Sequence, residues 1–237
     1  MSDESRKHTH RGIDLSDAEK WTAAIVAFDR AIAISPDFAQ AWFERGMAKL
    51  NLDRDAEAIA DFDRALAIQP NFPGALDWRS HALSSLGDHK SAAETALASL
   101  RANPNGPHDG MGVCPQSWAD CAEEFIKAGL QDQATALLEE YFAQHASKVT
   151  VYVVYETSPM LLLAQLRRRQ GAAAEAVKLM RSAVASAHCV PADSLHLALA
   201  LEAAGELAEA RELAAQALAF NGFWTEAQEL ADRLSET

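Results

Sequence analysis

The stretch "AWFERGMAKLNLDRDAEAIADFDRALAIQPNF", Ala41 to Phe72, contains two runs of helical spacing joined by a short polar segment. Trp42 and Gly46 lie four residues apart in the first run, and Ala58, Phe62 and Ala65 follow one another at intervals of four and three in the second. Those intervals put side chains on one face of an α-helix. Pro70 closes the second run, because proline cannot donate the backbone hydrogen bond that a continuing helix needs. The same signature stands 34 residues earlier: Gly12, Ala24, Phe28, Ala31 and Pro36 precede Gly46, Ala58, Phe62, Ala65 and Pro70. A period of that length marks a supersecondary unit that cannot bury its apolar face alone and must stack on its neighbours.

Packing gives each position a reason. Small residues at Gly46 and Ala58 let the two helices of a hairpin approach closely, and Trp42 and Phe62 fill the wider spaces, so both aromatic rings are expected to be buried. Ser16 and Glu19 have the spacing of a capping box and are read as starting the second helix of the first unit. Following the phase gives three N-terminal repeats over 1–106 (5–38, 39–72 and 73–106), the third through Leu76, Ser80, Leu83, Ala92 and Pro104. A Gly/Pro linker at 107–114 breaks the phase. A degenerate fourth repeat at 115–148 resumes it with Trp118, Ala122, Phe125, Ala134, Leu138 and Tyr141. After "VTVYVVYE" at 149–156, two further degenerate repeats occupy 157–224 (157–190 and 191–224), with Gly171 and Gly205 at their hairpin turns. The tail at 225–237 starts with a Thr225–Gln228 capping box and reads as a cap helix that solvates the end of the stack.

The pattern resembles the tetratricopeptide repeat (TPR) family, whose characteristic positions are filled here by Trp42, Gly46, Ala58, Phe62, Ala65 and Pro70. The resemblance implies an all-α, right-handed superhelical solenoid of about six helix hairpins with a C-terminal cap helix. It also implies that the first helix of each hairpin lines a concave groove. The inward positions of the family correspond to Phe43, Met47 and Leu50; Asp77, Trp78 and His81; Asp120, Glu123 and Lys127; Leu161, Leu162, Gln165, Arg168 and Arg169; and Leu195, His196, Leu199 and Glu202. Phe43, Met47, Trp78, His81, Arg168 and Arg169 are the expected partner-binding residues. One branch of the family clamps the C-terminal carboxylate of heat-shock chaperones with Lys, Asn and Arg. The corresponding positions here hold Thr9, Ile13, Glu44, Gly74 and Trp78, so that clamp is not expected.

Composition narrows the function further. The formal charge of −13 repels phosphate backbones and anionic headgroups, so neither nucleic acid nor a membrane is expected as a partner. No apolar run is long enough to span a bilayer, the segment "MSDESRKHTHRG" has no apolar core, and three cysteines suit a reducing compartment; a cytoplasmic chain is expected. His108, Cys114 and Cys121 match no metal-ligand spacing, and Cys189 beside His188 lacks an oriented base, because sequence neighbours point apart. "DGMGV" lacks the lysine and preceding strand of a phosphate loop. No catalytic residue, cofactor or metal is therefore expected. Arg167, Arg168 and Arg169 form the one basic cluster, able either to grip a carboxylate or phosphate or to pair with neighbouring glutamates. "VTVYVVYE" reads as an extended connector, as a lengthening of a neighbouring helix, or as a strand that docks a partner. The expected function is that of a non-catalytic scaffold that binds a peptide or helix of a partner protein. The alternatives are an enzyme subunit with a groove site completed by a partner chain, or a structural subunit of a larger assembly.

Overall fold

A computed structural model of the chain describes residues 2–103, 115–145, 159–184, 191–220 and 225–236. The linker at 107–114, the "VTVYVVYE" segment, and His108, Cys114, His188 and Cys189 lie outside the described residues. Among those described, thirteen helices and no strand are found: α1 (Asp3–Asp17), α2 (Trp21–Ile34), α3 (Ala39–Leu50), α4 (Asp55–Ile68), α5 (Pro73–Ser85), α6 (His89–Ala102), α7 (Pro115–Lys127), α8 (Gln131–His145), α9 (Pro159–Arg169), α10 (Ala173–Val184), α11 (Pro191–Ala204), α12 (Leu207–Phe220) and α13 (Thr225–Ser235). The architecture is an all-α helical solenoid. It divides into two compact units, one formed by Met1–Cys114 with Glu124–Gly129, the other by Pro115–Glu123 with Leu130–Thr237.

In the first unit, α1 packs on α2, α3 on α4 and α5 on α6, and α2 and α4 each pack on the helix that follows. The core of each hairpin is an aromatic ring driven against a glycine. Phe28 and Phe62 are fully buried. A methyl group on Gly12 would come within 2.3 Å of the Phe28 ring, and one on Gly46 within 2.6 Å of the Phe62 ring. Neither ring could keep its place beside an alanine. Trp42, expected to be buried, is only partly so. Its indole edge stays near the surface, where Nε1 donates to the Pro36 carbonyl at 2.9 Å, and its ring lies under the Arg45 and Arg64 guanidinium groups at 4.7 and 5.5 Å.

The hairpin turns share one device. Glu19, Asp53 and Gly87 follow each other at 34-residue steps, and all three are left-handed, with φ of 56°, 56° and 80°. Gly129, Gly171 and Gly205 have the same sign of φ. The next amide then donates back across the turn, Lys20 to the Leu15 carbonyl at 2.8 Å and Asp88 to that of Leu83 at 3.0 Å, which satisfies carbonyls that the helix end would leave bare. This overturns the capping-box reading of Ser16 and Glu19. Ser16 lies in the last turn of α1 and its hydroxyl is buried with no partner, whereas Glu19 is the left-handed turn residue and α2 starts at Trp21 without a side-chain cap. Their spacing matched an N-terminal signal, but they sit at a helix C-terminus.

From α9 onward, the second unit is built on aliphatic rather than aromatic contacts. Ala176, Met180, Leu195, Leu201, Ala210 and Leu230 are fully buried in one cluster. Trp118 of α7 meets Tyr141 of α8 at 5.5 Å. The last helix, α13, buries Ala227, Leu230 and Leu234 against α11 and α12 and leaves its polar residues outward.

Candidate functional site: the odd-helix face of the first unit

Within the first unit, the most extensive contacts beyond immediate neighbours among the described helices are those of α1 with α3 and of α3 with α5. The first helices of successive hairpins thus lie on the closer-packed side. Their free face is where the repeat pattern places its binding residues.

Phe43 on α3 is half-buried, tilted against Phe62 at 6.0 Å and Phe72 at 4.9 Å. Gly74 on α5 leaves it space, since a methyl group there would stand 3.3 Å from the ring. Met47, one turn along α3, is also half-buried. One turn beyond Gly74, Trp78 is 40% exposed, and its ring meets His81 edge-on at 5.7 Å and 84°. His81 itself is exposed. These four residues therefore occupy two touching helices. Leaving a large indole in water forgoes the free energy of its burial, about 25 cal/mol for each Å² of apolar area.

Two carboxylates stand among them. Glu44 is held by the Gln40 amide at 2.6 Å, and burial pushes its pKa up, with the Asp17 carboxylate adding to the rise. Asp77 accepts from the buried Ser99 hydroxyl at 2.5 Å, and burial raises its pKa too, against the lowering by that hydrogen bond. Neither forms an ion pair among the described residues. The buried charges of this unit, Lys49, Asp61 and Glu124, are paired. Arg45 bridges Asp29 of α2 at 2.6 Å and Asp61 of α4 at 2.5 Å, and Lys49 reaches Asp61 at 2.7 Å. Thirty-four residues on, Arg79 bridges Asp63 and the Thr95 hydroxyl, both at 2.6 Å. Glu124 accepts from Lys127 at 2.7 Å and Ser84 at 3.1 Å and meets His89 Nδ1 at 3.0 Å. Burial alone would raise the pKa of Glu124, but these partners together lower it.

Arg168 and Arg169 belong to the second unit, at the end of α9. Arg167 is ion-paired with Glu139 and with Glu175, the latter at 3.2 Å. Arg168 is half-buried close to His196, whose pKa falls chiefly through burial; Glu226 and Asp193 oppose the fall and Arg168 adds to it. Arg169 is exposed. Leu161, Leu162, Leu195 and Leu199, read from the pattern as groove residues, are buried in the unit itself, because this aliphatic core draws on both faces of its first helices. Cys121 is buried. No group of three or more His, Cys, Asp or Glu side chains among the described residues could hold a metal ion, and none of the described helices is long and apolar enough to cross a membrane.

Stacked antiparallel hairpins, glycine-seated aromatic rings and left-handed turns at a 34-residue step define a helical-hairpin repeat protein. Residues 10–75 match the family model described as tetratricopeptide repeat. Solved structures of low sequence identity share the fold. YrrB, a TPR protein with an unusual peptide-binding site, superposes with a TM-score of 0.63 at 14% identity, over 86% of this chain and 96% of its own. PilF of Pseudomonas aeruginosa gives 0.61 at 13% identity, over 97% of both chains. PilW, a type IV pilus biogenesis factor, gives 0.60 at 18%, over 97% of this chain and 99% of its own. No curated protein matches the sequence. A tetratricopeptide repeat is thus matched in sequence over residues 10–75, and the helical solenoid fold extends beyond it.

Proposed function

We propose that the chain is a non-catalytic scaffold that binds a peptide or helix of a partner protein on the free face of α3 and α5. The observation that carries this reading is the exposed Trp78–His81 pair in line with the half-buried Phe43 and Met47. A rigid, preformed surface of this kind costs a partner little ordering of the scaffold. Exposed aromatic residues flanked by partly sunken apolar ones are the usual anchors of such contacts. The peptide-binding site named for YrrB adds support by likeness of fold alone. His81 is exposed beside an indole and, among the described residues, has no oriented nucleophile or base against it, which favours recognition over catalysis at this face.

Panning a displayed library of random peptides against the whole chain tests the reading. Enriched peptides are expected to bind Trp78→Ala at least about tenfold more weakly than the parent, as removal of an anchor does. Met47→Ala should weaken binding by a smaller factor. Peptides that bind both variants like the parent would remove this face from consideration.

A further inference from the structure

We infer that the segment recognised on the α3–α5 face is basic, with Lys or Arg side chains directed at Glu44 and Asp77 and apolar side chains on Phe43, Met47 and Trp78. The inference rests on the proposed groove reading and adds the chemistry of the partner. Three observations on this face converge. Glu44 and Asp77 are both held by neutral partners alone, the Gln40 amide at 2.6 Å and the Ser99 hydroxyl at 2.5 Å. By contrast, the inward charges Asp61, Arg45, Lys49 and Glu124 are each neutralised by an opposite charge. Glu44 is half-buried and has given up hydration without gaining a counter-charge among the described residues, and Asp77 is exposed beside Trp78; an arriving ammonium or guanidinium group supplies both with an opposite charge.

The second observation is the indole that directly follows Asp77 on α5. Trp78 follows Asp77 and is 40% exposed, so a cation drawn to the carboxylates meets an aromatic surface as well, and the two attractions act on the same group. The third is placement. Phe43 packs on Phe72 at 4.9 Å and closes over Gly74, which joins the α3 and α5 residues into one surface. Glu44 adjoins Phe43 on α3, and Asp77 and Trp78 lie one turn beyond Gly74 on α5. An acidic peptide would face uncompensated carboxylates. A neutral one would leave them desolvated, because its arrival excludes water without offering charge. The upward pKa shifts of both carboxylates through burial accord with a site that awaits a cation.

Three pools of fluorescently labelled eight-residue peptides distinguish the possibilities, each with randomised apolar residues at alternate positions and with Lys, Gln or Glu fixed at the others. Anisotropy titrations of the whole chain should give about tenfold tighter binding of the Lys pool than of the Gln pool, with the Glu pool weakest, and the preference should shrink as salt is raised. The double variant Glu44→Gln/Asp77→Asn should bind the Lys pool no better than the Gln pool. The net charge of −13 attracts any basic peptide, so the control is Asp37→Asn/Glu94→Gln, which removes two exposed charges from elsewhere in the same unit and should keep the preference. Loss of the preference in both double variants, or in neither, would overturn the inference. If Lys and Gln pools bind alike and Trp78→Ala weakens both, the groove stands and its basic specificity falls. If Trp78→Ala weakens neither, the groove reading falls with it.

Discussion

Gly46 is fixed by a distance. A methyl group there would stand 2.6 Å from a Phe62 ring that has no free volume to retreat into. Gly46→Ala is therefore expected to destabilise the chain by about 1–3 kcal/mol, the usual penalty of overpacking, and Phe62→Ala by about 3–5 kcal/mol through the cavity it leaves; urea unfolding reads both. Gly74→Ala, at 3.3 Å from the movable Phe43 ring, should cost less than Gly46→Ala. The opposite sign is expected at Glu19, where a side chain occupies a left-handed backbone. Glu19→Gly removes about 1–2 kcal/mol of strain and adds about 0.4–1 kcal/mol of unfolded-chain entropy, so the variant should be more stable by about 0.5–1 kcal/mol. The glycine positions were legible because they recur with the aromatic residues they face. The turn residue was not, because only glycine advertises a left-handed site and Glu19 and Asp53 are not glycine. The buried, unpartnered Ser16 hydroxyl three residues earlier then imitated a cap.

Between elements, neighbouring hairpins are stapled by a ladder in which Arg45 joins α2 to α4 and Arg79 repeats the arrangement from α4 to α6. Asp61 is 3% exposed and receives both Arg45 and Lys49, so Asp61→Asn leaves Arg45 with the half-exposed Asp29 and Lys49 with only Glu57 at 3.9 Å, and should cost about 3 kcal/mol. Asp29 is half-exposed, and Asp29→Asn should cost no more than about 1 kcal/mol. Helical periodicity cannot show such contacts, which join residues sixteen apart on different helices, although the 34-residue recurrence of Arg45 as Arg79 and Asp29 as Asp63 was there to be read. Glu124 gives the fold a pH dependence with a defined sign. Its pKa is lower in the folded chain than the ordinary 4.5. The stability it contributes is thus complete above that value and is lost as the pH falls through the depressed folded pKa. The stability difference between the parent and Glu124→Gln should be largest near neutrality and shrink below about pH 4.5. Glu44 and Asp77 carry the reverse sign. Their raised values mean that stability is given up as the pH rises from the ordinary carboxylate range through the folded pKa, so Glu44→Gln/Asp77→Asn should melt no lower than the parent at neutral pH.

At the scale of the molecule, the all-helical solenoid was legible because one 34-residue signature, written twice over Gly12–Pro36 and Gly46–Pro70, admits few other packings. The proposed binding face was less so. Position in the repeat places Trp78 and His81 on α5, but only the folded chain distinguishes an exposed indole from one that fills the core, as the buried Leu161, Leu162, Leu195 and Leu199 at comparable positions illustrate. Such a division separates stability from recognition. Trp78→Ala should leave the unfolding free energy measured in urea within about 0.5 kcal/mol of the parent, as an exposed site does, while it weakens binding of the proposed partner. The measurement that bears most directly on the central claim is an amide chemical-shift titration of the whole chain with a panned peptide. Shifts clustered around Phe43, Met47, Asp77, Trp78 and His81 on α3 and α5 are the predicted result. Shifts confined to α2, α4 and α6, or to the second unit, would contradict it.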